Sequence, residues 1–446
     1  MSTASKYDLT QGSLSKHLIR MTIPMIWGIL AIISFQLVDA YYISRLGTVP
    51  LAAITYTFPI TYGIFSIFIG FSIAMSSVVS RMIGEKRTED MKRVTSHGLL
   101  IVFIISLFIA VIGIPLLNPL FTSMGATPEE VGLIKSFMIP YFIGTFFISM
   151  PIVGNAALRA SGDAMIPAII MTIAAVTNAA INPVLIFGLF GFPRMELTGA
   201  AIGTIFANIL AMSAGLHLMH KRGMIDWAHI KNLTQLSDSA KRLLIIALPA
   251  GLTSMLPSVL NSTITHLLSN KGAGAVAAFG AASRIEAFTL VILMALSIGM
   301  APIIGQNWGA RKMDRVKDVV KSALIFCCVW SIAMTILLTG FADTVSETFS
   351  NDVIVQKYLS LYLTIVPISY CLGNLTQIWG STFNAIGKPK TSAKMLFTKI
   401  VILTVPAVIV GYHLNGVTGL FIALVIANCV SGLAYHAWAW KGLSRL

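Results

Sequence analysis

The sequence predicts an all-α membrane protein: twelve transmembrane helices in two six-helix bundles related by a pseudo-two-fold axis along the membrane normal. Three observations predict it. The composition is too apolar for a water-facing surface, twelve apolar stretches have spanning length, and an internal repeat relates the two halves.

Of 446 residues, 56% are hydrophobic and 11% charged, and the mean hydropathy is +0.84. A soluble domain carries about 25% charged residues, so this chain lacks the charge to coat a globule. The formal charge is +14, from 31 Lys+Arg against 17 Asp+Glu. In a soluble protein that excess would suggest nucleic acid; in a membrane chain it reports orientation instead, and no nucleic-acid partner is expected. The four cysteines (Cys327, Cys328, Cys371, Cys429) lie in apolar runs without metal-ligand spacing. They read as small packing residues, with no disulfide framework. The chain is polar up to Lys16, so no cleavable leader is expected and the first apolar stretch is retained.

A hydrocarbon core of about 30 Å takes about 20 residues as helix. Apolar stretches of that length cover 19–44, 51–82, 94–118, 132–157, 164–190, 198–219, 243–269, 275–305, 319–341, 355–384, 392–413 and 417–440. They are continuous rather than alternating, which excludes a large β-barrel. Placing the N-terminus in the cytoplasm puts 24 of the 31 basic residues on that side. Five fall outside (Arg45, Lys135, Arg194, Lys271, Lys357), and Arg284 and Lys399 lie within spans. Basic residues concentrate on the cytoplasmic side of membrane proteins, so both termini are expected there.

The halves align at an offset of 225 residues, without a gap, from about residue 18 to 99. Leu18, Pro24, Gly47, Ser72, Met75, Gly84 and Lys92 match Leu243, Pro249, Gly272, Ser297, Met300, Gly309 and Lys317. With small loop slips, Pro183 falls on Pro406 and Ala207-Asn208 on Ala427-Asn428. Each half holds an even number of helices, so both enter the membrane in the same sense. That is the parallel-repeat plan of alternating-access carriers. The expected units are an N-terminal lobe over 1–219, a cytoplasmic linker and hinge over 220–242, and a C-terminal lobe over 243–446.

Away from the span ends, only Asp39, Arg284, Glu286 and Lys399 are charged within spans. An ionisable group in hydrocarbon costs about 3 kcal/mol and is a functional candidate by default. Lys399 is near enough to a cytoplasmic helix end to snorkel. Arg284 and Glu286 are two apart and do not share a helix face; they either join an internal ion pair or line a cavity. Asp39 has no basic residue within one helical turn, which suits a proton carrier or a cation ligand; its bland alternative is a cap at a kink. Asn178 and Asn182 share one face of the fifth span, and Thr204 lies at the same depth in the sixth. The repeat partners of Asp39, Asn178, Asn182 and Thr204 are Ile264, Val401, Val405 and Leu424. Packing alone therefore does not require the polar side chains. Pro183 withdraws the hydrogen bond that the Ala179 carbonyl would accept, leaving an oxygen for a proton relay or a cation. Gln36 and Asn155 either extend the patch or act as amide glue between helices.

No Walker A loop, HExxH, GxSxG or EF-hand pattern occurs, so neither an enzyme nor an ATP-driven pump is expected, and no cofactor.

Several motifs carry a family resemblance. They are Pro24 with Gln36-Leu-Val-Asp39 and Arg45-Leu-Gly47, the Gly84-Glu-Lys-Arg turn, Leu158-Arg-Ala-Ser-Gly162-Asp163, and Ala301-Pro-Ile-Ile-Gly305-Gln-Asn-Trp-Gly309-Ala-Arg. In that order they resemble the MATE multidrug efflux family over nearly the whole chain, most of all its DinF-like bacterial branch. The resemblance implies a monomer in the bacterial inner membrane that exports amphipathic, mostly cationic compounds in exchange for H⁺ or Na⁺. It places the coupling site on Asp39, Asn178 and Thr204, where Na⁺ would also sit. The fourth position, an aspartate in many relatives, is Asn182 here, which lowers the negative charge and favours H⁺. The paired C-lobe carboxylates of NorM-type relatives are missing; Asn261, His266, Asn374 and Gln377 stand in the corresponding spans. Two alternatives stay open: a Na⁺-coupled exporter of the same fold, and a flippase for lipid-linked precursors. The second would need a basic cavity, for which Arg284 is the clear intramembrane candidate.

Overall fold

The computed structural model describes residues 8–231 and 233–444, and all regular structure among them is helical. The first six spans are single helices: α1 (Leu14–Ser44), α2 (Thr48–Gly84), α3 (Thr88–Ser123), α4 (Pro128–Ala160), α5 (Met165–Phe187) and α6 (Glu196–Lys221). Local chemistry sets their starts. Ser13 Oγ accepts from the Lys16 amide ahead of α1, and Thr127 and Glu130 cap one another ahead of α4, with Pro128 in its first turn. Asp163 Oδ1 accepts from the Met165 and Ile166 amides at the head of α5, while its other oxygen pairs with Arg222 at 2.6 Å.

The second six spans are more broken. After the short linker helix α7 (Trp227–Lys231), the seventh span is α8 (Leu236–Ser254) and α9 (Leu256–Ser269), interrupted ahead of Pro257. The eighth and ninth, α10 (Ala273–Gly309) and α11 (Met313–Gly340), are continuous, and the short α12 (Ala342–Phe349) follows. The tenth is α13 (Val353–Ile365) and α14 (Tyr370–Ala385), joined by a 3-10 turn over Val366–Ser369 that contains Pro367. The eleventh begins as α15 (Pro389–Phe397), loosens into a π-helical stretch over Thr398–Thr404, and runs into α16 (Val405–Ser444). Within α16, Asn415 and Gly416 are non-helical, Gly416 at φ 56°, and the chain turns back there to make the twelfth crossing. All twelve expected spans are present.

The lobes trade helices at the end that carries the termini. One apolar core, built on α2, α3, α4 and α6, takes in Leu243, Ile246 and Ala247 from α8. A second, built on α10, α11 and α14, takes in Leu18, Met21, Met25 and Ile29 from α1. Since α1 and α8 are repeat partners, the exchange is reciprocal. The farther part of each span returns home: α1 packs on α5, and α9 joins a third core with α10, α13 and α16.

Between them α2 and α10 cross at the pseudo-axis. A Cβ on Gly84 would strike the Gln306 carbonyl, and one on Gly309 the Arg81 carbonyl. These two contacts are the same contact under the repeat. Small residues let helix backbones approach this closely where no hydrophobic force distinguishes helix from lipid.

Hydrogen bonds lock the same end. The fully buried Leu9 donates its amide to Gln306 Oε1 at 3.0 Å and accepts from Asn307 Nδ2 at 3.1 Å. Lys312 reaches the Thr10 carbonyl at 2.8 Å and Arg315 the Gly12 carbonyl at 3.0 Å. Gln306 also donates to the Ala160 carbonyl of α4 at 2.8 Å. The segment before α1 is thus strapped across the opposite lobe. The linker is held as well, with Met224 and Ile225 buried and the Asp226 amide on Ser96 Oγ at 3.0 Å. His97 Nε2 meets the His229 carbonyl at 2.9 Å, and its Nδ1 meets Ser239 Oγ at 2.9 Å.

Candidate functional site

Asp39 sits on α1 five residues before the helix ends at Ser44, where α1 lies against α5. Its Oδ1 accepts from Asn182 Nδ2 at 2.6 Å. No ion pair involving Asp39 is formed among the described residues. One turn back along α5, Asn178 Nδ2 donates to Thr204 Oγ1 of α6 at 3.0 Å, and that hydroxyl donates to the Ala200 carbonyl at 3.0 Å. Asn208 closes the patch by donating to the Thr204 carbonyl at 2.8 Å. The four residues singled out in the first half therefore meet as two bonded pairs on adjacent turns.

Two buried acceptors are left over. Asn178 is 2% exposed and Asn182 0%, yet the Oδ1 of each has no partner. Buried polar atoms without partners are rare. Together with the carboxylate they form an all-oxygen set that suits a proton, a water or a hard cation rather than a transition metal. Among the described residues no group of His, Cys, Asp and Glu could hold a metal ion by itself. Of the oxygens expected to bind Na⁺, that of Thr204 is already engaged in both directions. Gly203 makes the arrangement possible, because a Cβ there would collide with Asn182 Oδ1.

Some expectations need correction. The Ala179 carbonyl freed by Pro183 is not an open ligand, since Tyr42 Oη donates to it at 3.3 Å. Tyr42 is three residues after Asp39 and so on the same face of α1, and the α1–α5 contact carries it onto the proline site. Lys399 does not snorkel. It lies on the π-helical stretch and turns inward, donating from Nζ to the Gly373 carbonyl at 2.9 Å. Arg284 is exposed on α10, while Glu286 accepts from the Tyr362 hydroxyl; neither joins an ion pair among the described residues. Gln36 is exposed on α1, and Asn155 is buried in α4, outside the two bonded pairs. The sequence reading missed Tyr42, Gly203, Tyr362 and Tyr370. Only Tyr42 had a signal, its spacing from Asp39.

The MatE family model matches residues 24–184 and again 249–410, once in each half. The chain is 35% identical to the FAD transporter of Shewanella oneidensis, over 98% of this chain and 96% of that protein. It is 24% identical to the multidrug export protein MepA of Staphylococcus haemolyticus, over 94% and 92%. Among solved structures it is similar to the MATE transporter VcmN of Vibrio cholerae in its bent form: 30% identity, TM-score 0.91, and 100% and 99% of the two chains covered.

Proposed function

The chain belongs to the MatE family, and from that premise we propose that it is a proton-coupled antiporter in which Asp39 exchanges the proton. As a member it is an ion-coupled multidrug efflux antiporter of the MATE type working by alternating access, and not an enzyme. The observation that carries the proton assignment is the Asp39 carboxylate, bonded to one neutral amide and paired with no cation among the described residues. Protonation removes its charge and weakens the charge-assisted bond to Asn182, which loosens α1 from α5. Proton and substrate then favour different packings of the same helices, and each displaces the other. A single carboxylate among neutral side chains supports H⁺ over Na⁺.

The bias of basic residues supports cytoplasmic termini in a bacterial inner membrane. The internal repeat supplies both lobes from one chain, which supports a monomer. The substrates in this reading are amphipathic, mostly cationic compounds. The test is ethidium transport in proteoliposomes under an imposed pH gradient and, separately, a Na⁺ gradient. Wild type should respond to the pH gradient and Asp39→Asn should not; transport driven by Na⁺ alone overturns the assignment.

A second reading concerns the cargo. The relative at 35% identity is a FAD transporter, and the exposed Arg284 offers positive charge to an anionic dinucleotide in the C lobe. In this reading the same ion-driven cycle exports a flavin. Replacing ethidium by FAD in the same proteoliposomes tests it.

A further inference from the structure

A second polar cluster lies inside the C lobe, away from Asp39. It joins Glu286 of α10, Tyr362 of α13, Tyr370 at the head of α14 and Lys399 of the π-helical stretch. The Tyr362 hydroxyl donates to Glu286 Oε2. Lys399 spends one of its N–H groups on the Gly373 carbonyl. Lys399 and Tyr370 are both within electrostatic reach of Glu286, yet the ammonium and carboxylate stand more than 4.0 Å apart, outside ion-pair distance. Tyr370 is only 4% exposed and its hydroxyl has no partner. The other charged side chain of this part of α10, Arg284, is on a different face.

The unused valences define a complement. An ammonium has three donors, a tyrosine hydroxyl can donate, and a carboxylate only accepts. Lys399 and Tyr370 therefore have donors to spare, and Glu286 has acceptor sites to spare. The two charges sum to zero, so the couple favours neither a cation nor an anion. It suits a neutral group that sets a donor beside acceptors, as the C(=O)–N(H)–C(=O) edge of an imide does. Glu286 and Lys399 are partly exposed while Tyr362 and Tyr370 are buried behind them. Such an edge would enter past the charged pair and meet the tyrosines as a floor. Broken backbone flanks the cluster on both sides, the 3-10 turn at Val366–Ser369 and the π-helical stretch at Thr398–Thr404. At membrane depth irregular backbone is confined to protein interiors and cavity walls, and π segments recur at functional sites.

We propose that Glu286, Lys399 and Tyr370 form a recognition site for the imide edge of a planar heterocycle, with the flavin ring as its probe. The proposal rests on the flavin reading of the cargo and adds where and by which atoms the ring is read. Phosphate is not what the site selects.

The experiment uses the full chain in nanodiscs and follows quenching of flavin fluorescence. Riboflavin, which has the ring and no phosphate, should bind. Riboflavin methylated at N3 should bind at least about tenfold more weakly, because its donor is gone and Glu286 is left unpaired. Glu286→Gln and Lys399→Met should each weaken riboflavin by a similar factor while the thermal midpoint holds. Equal binding of the methylated and unmethylated rings to wild type overturns the proposal without recourse to any variant. So does wild-type affinity in both variants, which would make the cluster an internal polar pair only. FAD export measured alongside separates the two ideas. Undiminished export by Lys399→Met removes the site and keeps the flavin reading. No FAD export by wild type under either gradient removes the reading, and the site with it.

Discussion

The two lobes share a backbone plan and differ in what it holds. In the N lobe α5 stays helical through Pro183, and its polar side chains face a single uncompensated carboxylate on α1. In the C lobe the corresponding span bulges into a π-helix ahead of Pro406, valines replace the asparagines, and a lysine and a glutamate of opposite sign share one cluster, each bonded to a neutral group. One lobe holds a single charge of one sign; the other holds one of each sign. In the proposed reading the repeated fold divides ion coupling and cargo recognition between its halves without changing its helix order.

The repeat supplies the substitutions that break this comparison. Asp39→Ile installs the C-lobe residue of Ile264 and should have the largest effect. Ion-driven exchange in proteoliposomes should fall about a hundredfold or more, since the N lobe's intramembrane carboxylate is gone. The thermal midpoint should stay within a few degrees, because relief of the buried charge offsets the donor left unpaired on Asn182; a collapse of the fold would show Asp39 to be structural.

Gly203→Ala comes next. Its Cβ displaces Asn182 Oδ1, an overpacking change worth about 1–3 kcal/mol. Thermal stability should drop and exchange should slow, whereas Gly280→Ala, facing open space on α10, should leave both unchanged. Gln306→Ala orphans the Leu9 amide and the Ala160 carbonyl, at a cost of about 1–3 kcal/mol. The loss falls on the packing in which the strap is docked, so the equilibrium should move toward the opposite state by about tenfold. A distance reporter between α4 and α11 at the terminal end should widen; an unchanged distance would show that the strap does not bias the states. Tyr42→Phe, the mildest, releases the Ala179 carbonyl for about 1 kcal/mol. Exchange should persist, since the carbonyl is a packing acceptor here rather than part of the ion path.

Much of this was legible in the sequence for a physical reason. A polar side chain in a long apolar run is costly, so Asp39, Asn178, Asn182 and Thr204 announce themselves, and helical spacing places them at one depth. The spans and the repeat were legible on the same grounds. Pairings between distant helices were not. Nothing local says that Tyr42 caps the proline-freed carbonyl, or that Gly203 makes room for an amide on another helix. Tyr362 and Tyr370 look like ordinary aromatic packing until Glu286 is beside them. Lys399 was misjudged because snorkelling assumes regular helix to the membrane edge, and a π-helical stretch turns the side chain inward instead.

The glycine crossing of α2 and α10 has an evolutionary consequence. Gly84 and Gly309 are counterparts under the repeat, and each presses on the counterpart of the carbonyl the other meets. A six-helix chain paired with its own copy about that axis would make the same contact, one glycine serving both sides. The seam between the lobes has the isologous form of a homodimer interface. Lengthening a connector would be enough to turn such a dimer into the single chain, and the two sites could then diverge without disturbing the seam that joins them.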